Sequence, residues 1–219
     1  MEERYYSEIL FAAVKGYAER IGKSICSEDE EEIVRFAREN EFKTYHFKKK
    51  DVLPRVHKVI GFLRSIYFEN LLDVGSGRGV FLFPFLEGFP YVDVTSVDIL
   101  DKRVEMLTDI KNGGIERLNV TKADICTQPF ADKSFDVITL LEVLEHIPDV
   151  KKAIASAVKM ARKYIVVSVP SKEDNNPEHI HLLTKNLLTE YFNECGVTKL
   201  HFDGVNGHLL MIATINGVE

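Results

Sequence analysis

Cysteine is scarce in this chain: of 219 residues only Cys26, Cys126 and Cys195 carry a thiol. Three widely spaced cysteines are odd in number and match neither a zinc-ligand spacing nor a disulfide framework. Reduced thiols in a cytosolic protein are the reading that follows. Also missing is any apolar run near the roughly 20 residues that a membrane-spanning helix needs. The N-terminus reads MEERYY, without the basic-then-apolar leader of a signal peptide. These absences point to a soluble, cytoplasmic protein with no membrane partner. No internal repeat or low-complexity segment is visible. Positive charge is in deficit as well: 28 Lys and Arg against 34 Asp and Glu give a net charge of −6 and a pI near 5.7. That balance counts against DNA as a partner and disfavours a broad RNA-binding surface. The stretch Phe42–Arg55 is locally basic, through Lys43, Lys48, Lys49, Lys50 and Arg55, with His46 among them. It reads as a solvated charge run flanking a helix.

What is present suffices for a buried core: 45% of residues are hydrophobic and 10% aromatic, over a length that suits one domain with a small appendage. The chain turns on Leu71–Gly79, LLDVGSGRG. An apolar run with Leu71, Leu72 and Val74 meets a turn holding Gly75, Gly77 and Gly79, then an apolar segment from Val80. Strand, tight turn and helix start are expected there. Glycines at alternate positions permit positive φ and let a ligand approach the main chain. Asp73 sits just before the turn, at the carboxyl end of the strand, where open parallel sheets bind ligands. Two other glycine loops are excluded by what they lack. The dinucleotide fingerprint G-x-G-x-x-G needs glycine where this chain has Val80. The phosphate-binding loop needs Lys and Ser/Thr after its last glycine, and Gly79 is followed by Val80 and Phe81.

Residues 1–68 read as helical. Gly22 is the expected stop of a first helix, and Ser27 the expected N-cap of SEDEEEIVRFAREN, whose acidic first turn suits the positive helix end. A third helix is expected after Asp51, with Pro54 in its first turn, running through Phe68. Beyond the glycine turn, helix and strand patterns alternate. Helices are expected over 80–86, 100–110, 149–162 and 185–195; strands over 91–97, 118–122, 135–141 and 164–169, with a closing hairpin from 197–202 and 208–214. The second strand ends at Asp98, 25 positions after Asp73. A carboxylate there faces the same crevice as the glycine turn and can accept two ribose hydroxyls through charge-assisted hydrogen bonds.

The remaining glycine pattern, acidic-x-G-x-G-x-G, resembles motif I of class I S-adenosylmethionine (SAM)-dependent methyltransferases. The resemblance runs from about Glu69 to Asn216. It rests on joint order: the glycine loop, Asp98, Asp124, the passage PFADKSFD and the segment FDVITLLEVLEH. One departure is KMARKYIVV, which lacks the family's glycine-rich turn before the fifth strand. The resemblance implies a Rossmann-like doubly wound α/β fold with a mainly parallel seven-stranded sheet and an antiparallel last strand. Residues 69–219 would form the SAM-binding domain and 1–68 an N-terminal helical cap that shapes the substrate pocket. Asp73, Gly75, Ser76, Gly77 and Gly79 would line the methionine part of SAM, Asp98 and Ile99 its ribose side, and Asp124 and Ile125 its adenine.

The segment after the fourth strand carries Glu142, Glu145 and His146 as E-x-x-E-H. One helical turn past the strand end would bring Glu142 near Glu145 or His146. Two carboxylates and an imidazole suit Mg2+ or Mn2+, with His179 or His181 as a further ligand. The pattern is similar to metal-using methyltransferases that modify ribose at RNA 3′ ends and to ubiquinone-pathway O-methyltransferases, in which the metal lowers the pKa of a substrate hydroxyl. Without a metal, Glu142 closes over the cofactor, and His146 or His179 is the candidate general base. The expected function is therefore SAM-dependent methyl transfer to an oxygen or nitrogen of a small molecule. The alternatives are a metal-assisted RNA ribose 2′-O-methyltransferase and a non-catalytic SAM-binding protein. The acceptor, and whether the chain forms a homodimer, stay open at this point.

Overall fold

The structure, a computed structural model, describes residues 4–49, 52–173 and 175–215. Lys50 of the basic run, Asp51 ahead of the third helix and Asn216 lie outside them. Among the described residues seven strands, β1 (Asn70–Val74), β2 (Asp93–Asp98), β3 (Leu118–Lys122), β4 (Phe135–Leu141), β5 (Ala161–Pro170), β6 (Lys199–Val205) and β7 (His208–Thr214), form one sheet. Their order is β3-β2-β1-β4-β5-β7-β6. Strand β1 with β4, β2 with β3 and β4 with β5 pair in parallel, whereas β7 runs antiparallel to both β5 and β6. This is the Rossmann-like, mainly parallel sheet that the alternating pattern called for. The antiparallel strand is not at the edge: β7 inserts between β5 and β6.

Among the described residues seven α-helices accompany the strands: α1 (Ser7–Arg20), α2 (Glu30–Glu39), α3 (Pro54–Arg64), α4 (Leu82–Gly88), α5 (Asp101–Asn112), α6 (Val150–Met160) and α7 (Lys185–Glu194). The chain forms two compact units, one from Met1–Val52 and Ser76–Lys122, the other from Leu53–Gly75 and Ala123–Glu219. In the first unit α1 lies directly on α5. Gly16 and Gly113 make that approach possible, because a Cβ at Gly16 would sit 1.9 Å from the Asp109 carbonyl oxygen and one at Gly113 1.7 Å from that of Ala12. Arg20 closes the contact with two hydrogen bonds to the buried Asp109 carboxylate, 2.8 and 2.9 Å long. In the second unit β4 is buried from Phe135 to Leu140, as a central strand covered on both faces must be.

Several boundaries differ from the expected ones for local reasons. The N-cap of α2 is Asp29, whose carboxylate accepts from Glu32 N–H at 3.0 Å, while Ser27 accepts from Asp29 N–H one turn earlier. Helix α3 stops at Arg64 because the Ser65 hydroxyl bonds back to the Phe62 carbonyl at 2.7 Å. Helix α4 starts at Leu82, since Gly79 N–H still closes the preceding turn onto Ser76 O at 2.9 Å. Without a glycine after α6, Ala161 passes straight into the extended backbone of β5. The β6–β7 turn is only Asn206-Gly207, with φ of 42° and 85°, as a two-residue hairpin requires.

Candidate functional site

The order β2-β1-β4 reverses direction in the sheet at β1, and in such folds ligands bind outside the carboxyl ends of the strands at that point. The turn leaving β1 holds Gly75, Gly77 and Gly79 at φ of 67°, 56° and 81°, all in the left-handed region that glycine alone enters freely. At Gly75 there is also no room for a side chain: a Cβ would lie 2.7 Å from Val143 Cγ2, beyond the end of β4. At Gly79 the Phe83 ring stands 2.5 Å from the same imagined atom. Asp73 is buried in β1 and accepts the Thr139 hydroxyl of β4 at 2.7 Å. Ser76 is buried as well, 2.6 Å from the Ser96 hydroxyl.

Asp98 ends β2 with its carboxylate mostly buried, and Oδ1 accepts Leu100 N–H at 2.9 Å. Ile99 beside it is 62% exposed, an apolar surface available to a ligand. Asp124 caps a short 3-10 turn, Ile125–Thr127, by accepting Cys126 N–H at 2.8 Å. Ile125 is buried. Burial, reinforced by the Asp124 carboxylate, pushes the Cys126 thiol up to about 11.

Glu142 and Glu145, expected together, turn into different surroundings. Glu142 has φ of 58° and its carboxylate meets Ser168 Oγ at 2.7 Å, His208 Nε2 at 3.0 Å and Arg55 Nε at 3.8 Å. Leu141 is in register with Ser168, and Pro170 with His208, so the sheet itself delivers two of these partners. Glu145 lies in a 3-10 turn, Leu144–His146, and is wholly buried. One ligand atom each from Glu145, His146 and His179 falls within 4.8 Å of the others. The loop is pinned there by Ile180 N–H donating to Glu145 O at 2.9 Å. His146 Nδ1 lies 2.9 Å from the Glu178 carbonyl oxygen, so in the neutral ring Nδ1 carries the proton and Nε2 the lone pair. His181 is elsewhere, with Nε2 at 3.3 Å from Pro148 O. The structure thus groups Glu145, His146 and His179, and leaves Glu142 and His181 outside that group. Arg55, Ser168 and His208, which surround Glu142, carried no motif in the sequence.

The methyltransferase-domain family matches the chain over residues 72–164, which spans β1, the glycine turn, Asp98, Asp124 and the Glu142–His146 segment. Over residues 72–164 the chain is thus similar to a methyltransferase domain. A ubiquinone biosynthesis O-methyltransferase of Saccharophagus degradans is 31% identical over 147 residues, 61% of this chain and 58% of that protein. The 27-O-demethylrifamycin SV methyltransferase of Amycolatopsis mediterranei is 29% identical over 55% of this chain and 47% of its own length. The chain thus spans about half the length of the curated relatives it matches. Among solved structures, the YcgJ protein of Bacillus subtilis superposes with a TM-score of 0.57 at 19% identity, covering 68% of this chain and 71% of that one. Magnesium protoporphyrin IX methyltransferase of Synechocystis, solved with bound SAH, gives 0.57 at 14% identity over 73% of this chain and 81% of its own. These likenesses show a shared fold over 68% and 73% of this chain. Among the described residues no helix is long and apolar enough to cross a membrane.

Proposed function

We propose that the protein transfers the methyl group of SAM to an oxygen, or a nitrogen, of a small molecule. The observation that carries this reading is the turn after β1: three glycines at positive φ, one of them pressed against Val143, followed by a carboxylate at the end of β2. Such a turn accepts a ligand through its backbone, and the donor set suits SAM, which has hydroxyls and an amino acid moiety but no phosphate. In this reading Gly75, Ser76, Gly77 and Gly79 hold the methionine part with Asp73 behind them. Asp98 accepts the ribose hydroxyls with Ile99 beside it, Asp124 meets the adenine with Ile125 shoring up its turn, and Glu142 closes the site. Residues 1–68 form the cap that shapes the acceptor pocket. SAM supplies a methyl group already bonded to a good leaving group, so the chain needs to bind, align and exclude water more than it needs strong catalysts.

Transfer to oxygen is the finer form of the proposal, supported by the O-methyltransferase names of the relatives. Glu145, His146 and His179 fit a divalent ion: one carboxylate oxygen and two imidazole nitrogens suit Mn2+ better than Mg2+, which prefers oxygen alone. Bound there, the ion would acidify an acceptor hydroxyl. Without it, His146 or His179 would take the hydroxyl proton. Calorimetric titration of the full chain with SAM and with its demethylated product tests the reading. Both should bind, and Asp98→Ala should weaken both by about tenfold to a hundredfold, the worth of hydrogen bonds to a charged group. Unchanged affinity in Asp98→Ala would remove the ribose assignment; no heat with either ligand would overturn the methyltransferase reading.

A further inference from the structure

Helix α3 turns Arg55, Lys58 and Phe62, spaced i, i+3 and i+7, onto the sheet from one helix face. Arg55 Nε lies 3.8 Å from the Glu142 carboxylate, and Lys58 pairs with Asp203 of β6. The Phe62 ring meets that of Tyr164 of β5 edge-on, with 5.3 Å between centroids. Around Lys58 and Phe62 the helix does not close on the strands. A cavity of about 190 Å³ remains, lined by those two residues, His201 and Asp203 of β6, and Leu210 and Ile212 of β7. All six belong to the second unit.

Strand register explains the walls. Asp203 stands opposite Leu210 and His201 opposite Ile212, and residues two apart on a strand share a face, so all four line one face of the sheet. The interior is apolar, made by Phe62, Ile212 and the buried Leu210. The mouth is charged. Lys58 and Asp203 keep 44% and 42% of their side chains exposed, and His201 is exposed beside them. The Lys58 ammonium, helped by Gly204 N–H at 2.8 Å, holds the Asp203 carboxyl below the usual range, so it is ionised near neutral pH. A carboxylate has about four acceptor sites and an ammonium three donors, so this pair can still serve a ligand group of either sign.

We infer that this cavity binds a small zwitterion with an aromatic ring, of the α-amino acid type. Its ring packs on Phe62, Leu210 and Ile212, its ammonium meets Asp203, and its carboxylate meets Lys58 and His201. Size and charge both lead there. An apolar cavity of about 150 Å³ holds a benzene ring, so 190 Å³ takes one ring and its link to a polar head. Phe62 favours an aromatic body over an alkyl one, because paired rings gain more than burial alone gives. A ligand with a single charge would satisfy one member of the Lys58–Asp203 pair and face the like charge of the other. A zwitterion satisfies both.

The test is calorimetric titration of the full chain with phenylalanine and with three probes that each lack one feature. Alanine lacks the ring, phenylpropionate the ammonium and phenethylamine the carboxylate. Phenylalanine should bind saturably, alanine about tenfold or more weaker, and each singly charged probe about threefold or more weaker. Asp203→Asn should weaken phenylalanine but not phenylpropionate, and Lys58→Met should weaken phenylalanine but not phenethylamine. Both variants remove a half-exposed ion pair and should keep the wild-type melting temperature within a few degrees. No saturable heat with phenylalanine would overturn the inference. So would a partial probe that binds as tightly, or phenylalanine affinity unmoved in both variants. Failure of the methyltransferase reading shows itself separately, as no heat with SAM, since none of the six residues is placed against SAM or a metal.

Discussion

Gly75 and Val143 approach so closely that a Cβ on the glycine would stand 2.7 Å from Val143 Cγ2. They follow the ends of β1 and β4, parallel neighbours in the sheet, and their contact joins the glycine turn to the Glu142–His146 segment. Gly75→Ala meets both a clash and a φ of 67°, which costs a side-chain-bearing residue about 1–2 kcal/mol. Lower thermal stability and SAM affinity reduced by about tenfold or more are the expected outcomes. Adding Val143→Ala should recover part of the loss. Full affinity in the single variant would show that the turn is not shaped by this contact.

The grouping of Glu145, His146 and His179 makes a prediction that separates two neighbouring histidines. Titrated with Mn2+ by calorimetry, the wild-type chain should bind, and His179→Ala should lose more than the about 10–100-fold typical of changes outside the ligand set. His181→Ala should bind as wild type, because its ring faces Pro148 O. Equal losses in the two variants would count against the proposed set.

Asp136 gives a pH dependence of known sign. Burial alone would raise its carboxyl, but Glu69 N–H, Lys163 and Arg162 together hold it below the usual range. A depressed folded value means that stability is present above the unfolded value, about 3.9, and is lost as pH falls through the folded one. Asp136→Asn should cost about 1–3 kcal/mol near neutral pH and flatten the acid limb of the stability curve below about pH 4. Denaturant melts across acid pH read both effects. An unaltered acid limb would remove Asp136 as its source.

The thiols should differ in reactivity. Cys126, raised to about 11 chiefly by burial, stays protonated near neutral pH, and burial raises Cys195 too, whereas Cys26 is exposed. Brief iodoacetamide treatment followed by peptide mass analysis should find Cys26 alkylated first. Early labelling of Cys126 would contradict the burial seen at the Asp124 turn.

Much of the site was legible because its signals are local. Three alternating glycines require positive φ whatever packs around them, and Asp98 follows a β-branched run whose end can be counted. Residues 135–141 read as a strand because, Asp136 apart, the run is apolar or β-branched. Ser27 misled because Asp29 offers the same capping chemistry two residues later, and pattern alone does not choose between them. Glu142 misled for a deeper reason. A helical turn was assumed after β4, but Glu142 takes φ of 58° and the chain enters a 3-10 turn, which sends the two glutamates apart.

The sequence by itself determined the strand–turn–helix order, the backbone freedom of the glycine turn and the acidic end of β2, since each depends on residues within one element. Only the tertiary structure decided which side chains meet. Register with β5 and β7 gives Glu142 its Ser168 and His208, and the pinned loop brings His179 to Glu145 and His146. Long-range packing likewise sets the Arg20 guanidinium on the buried Asp109 carboxylate. Charge counts average over the whole chain, whereas the energy of a charge depends on its neighbours within a few ångströms in the folded molecule.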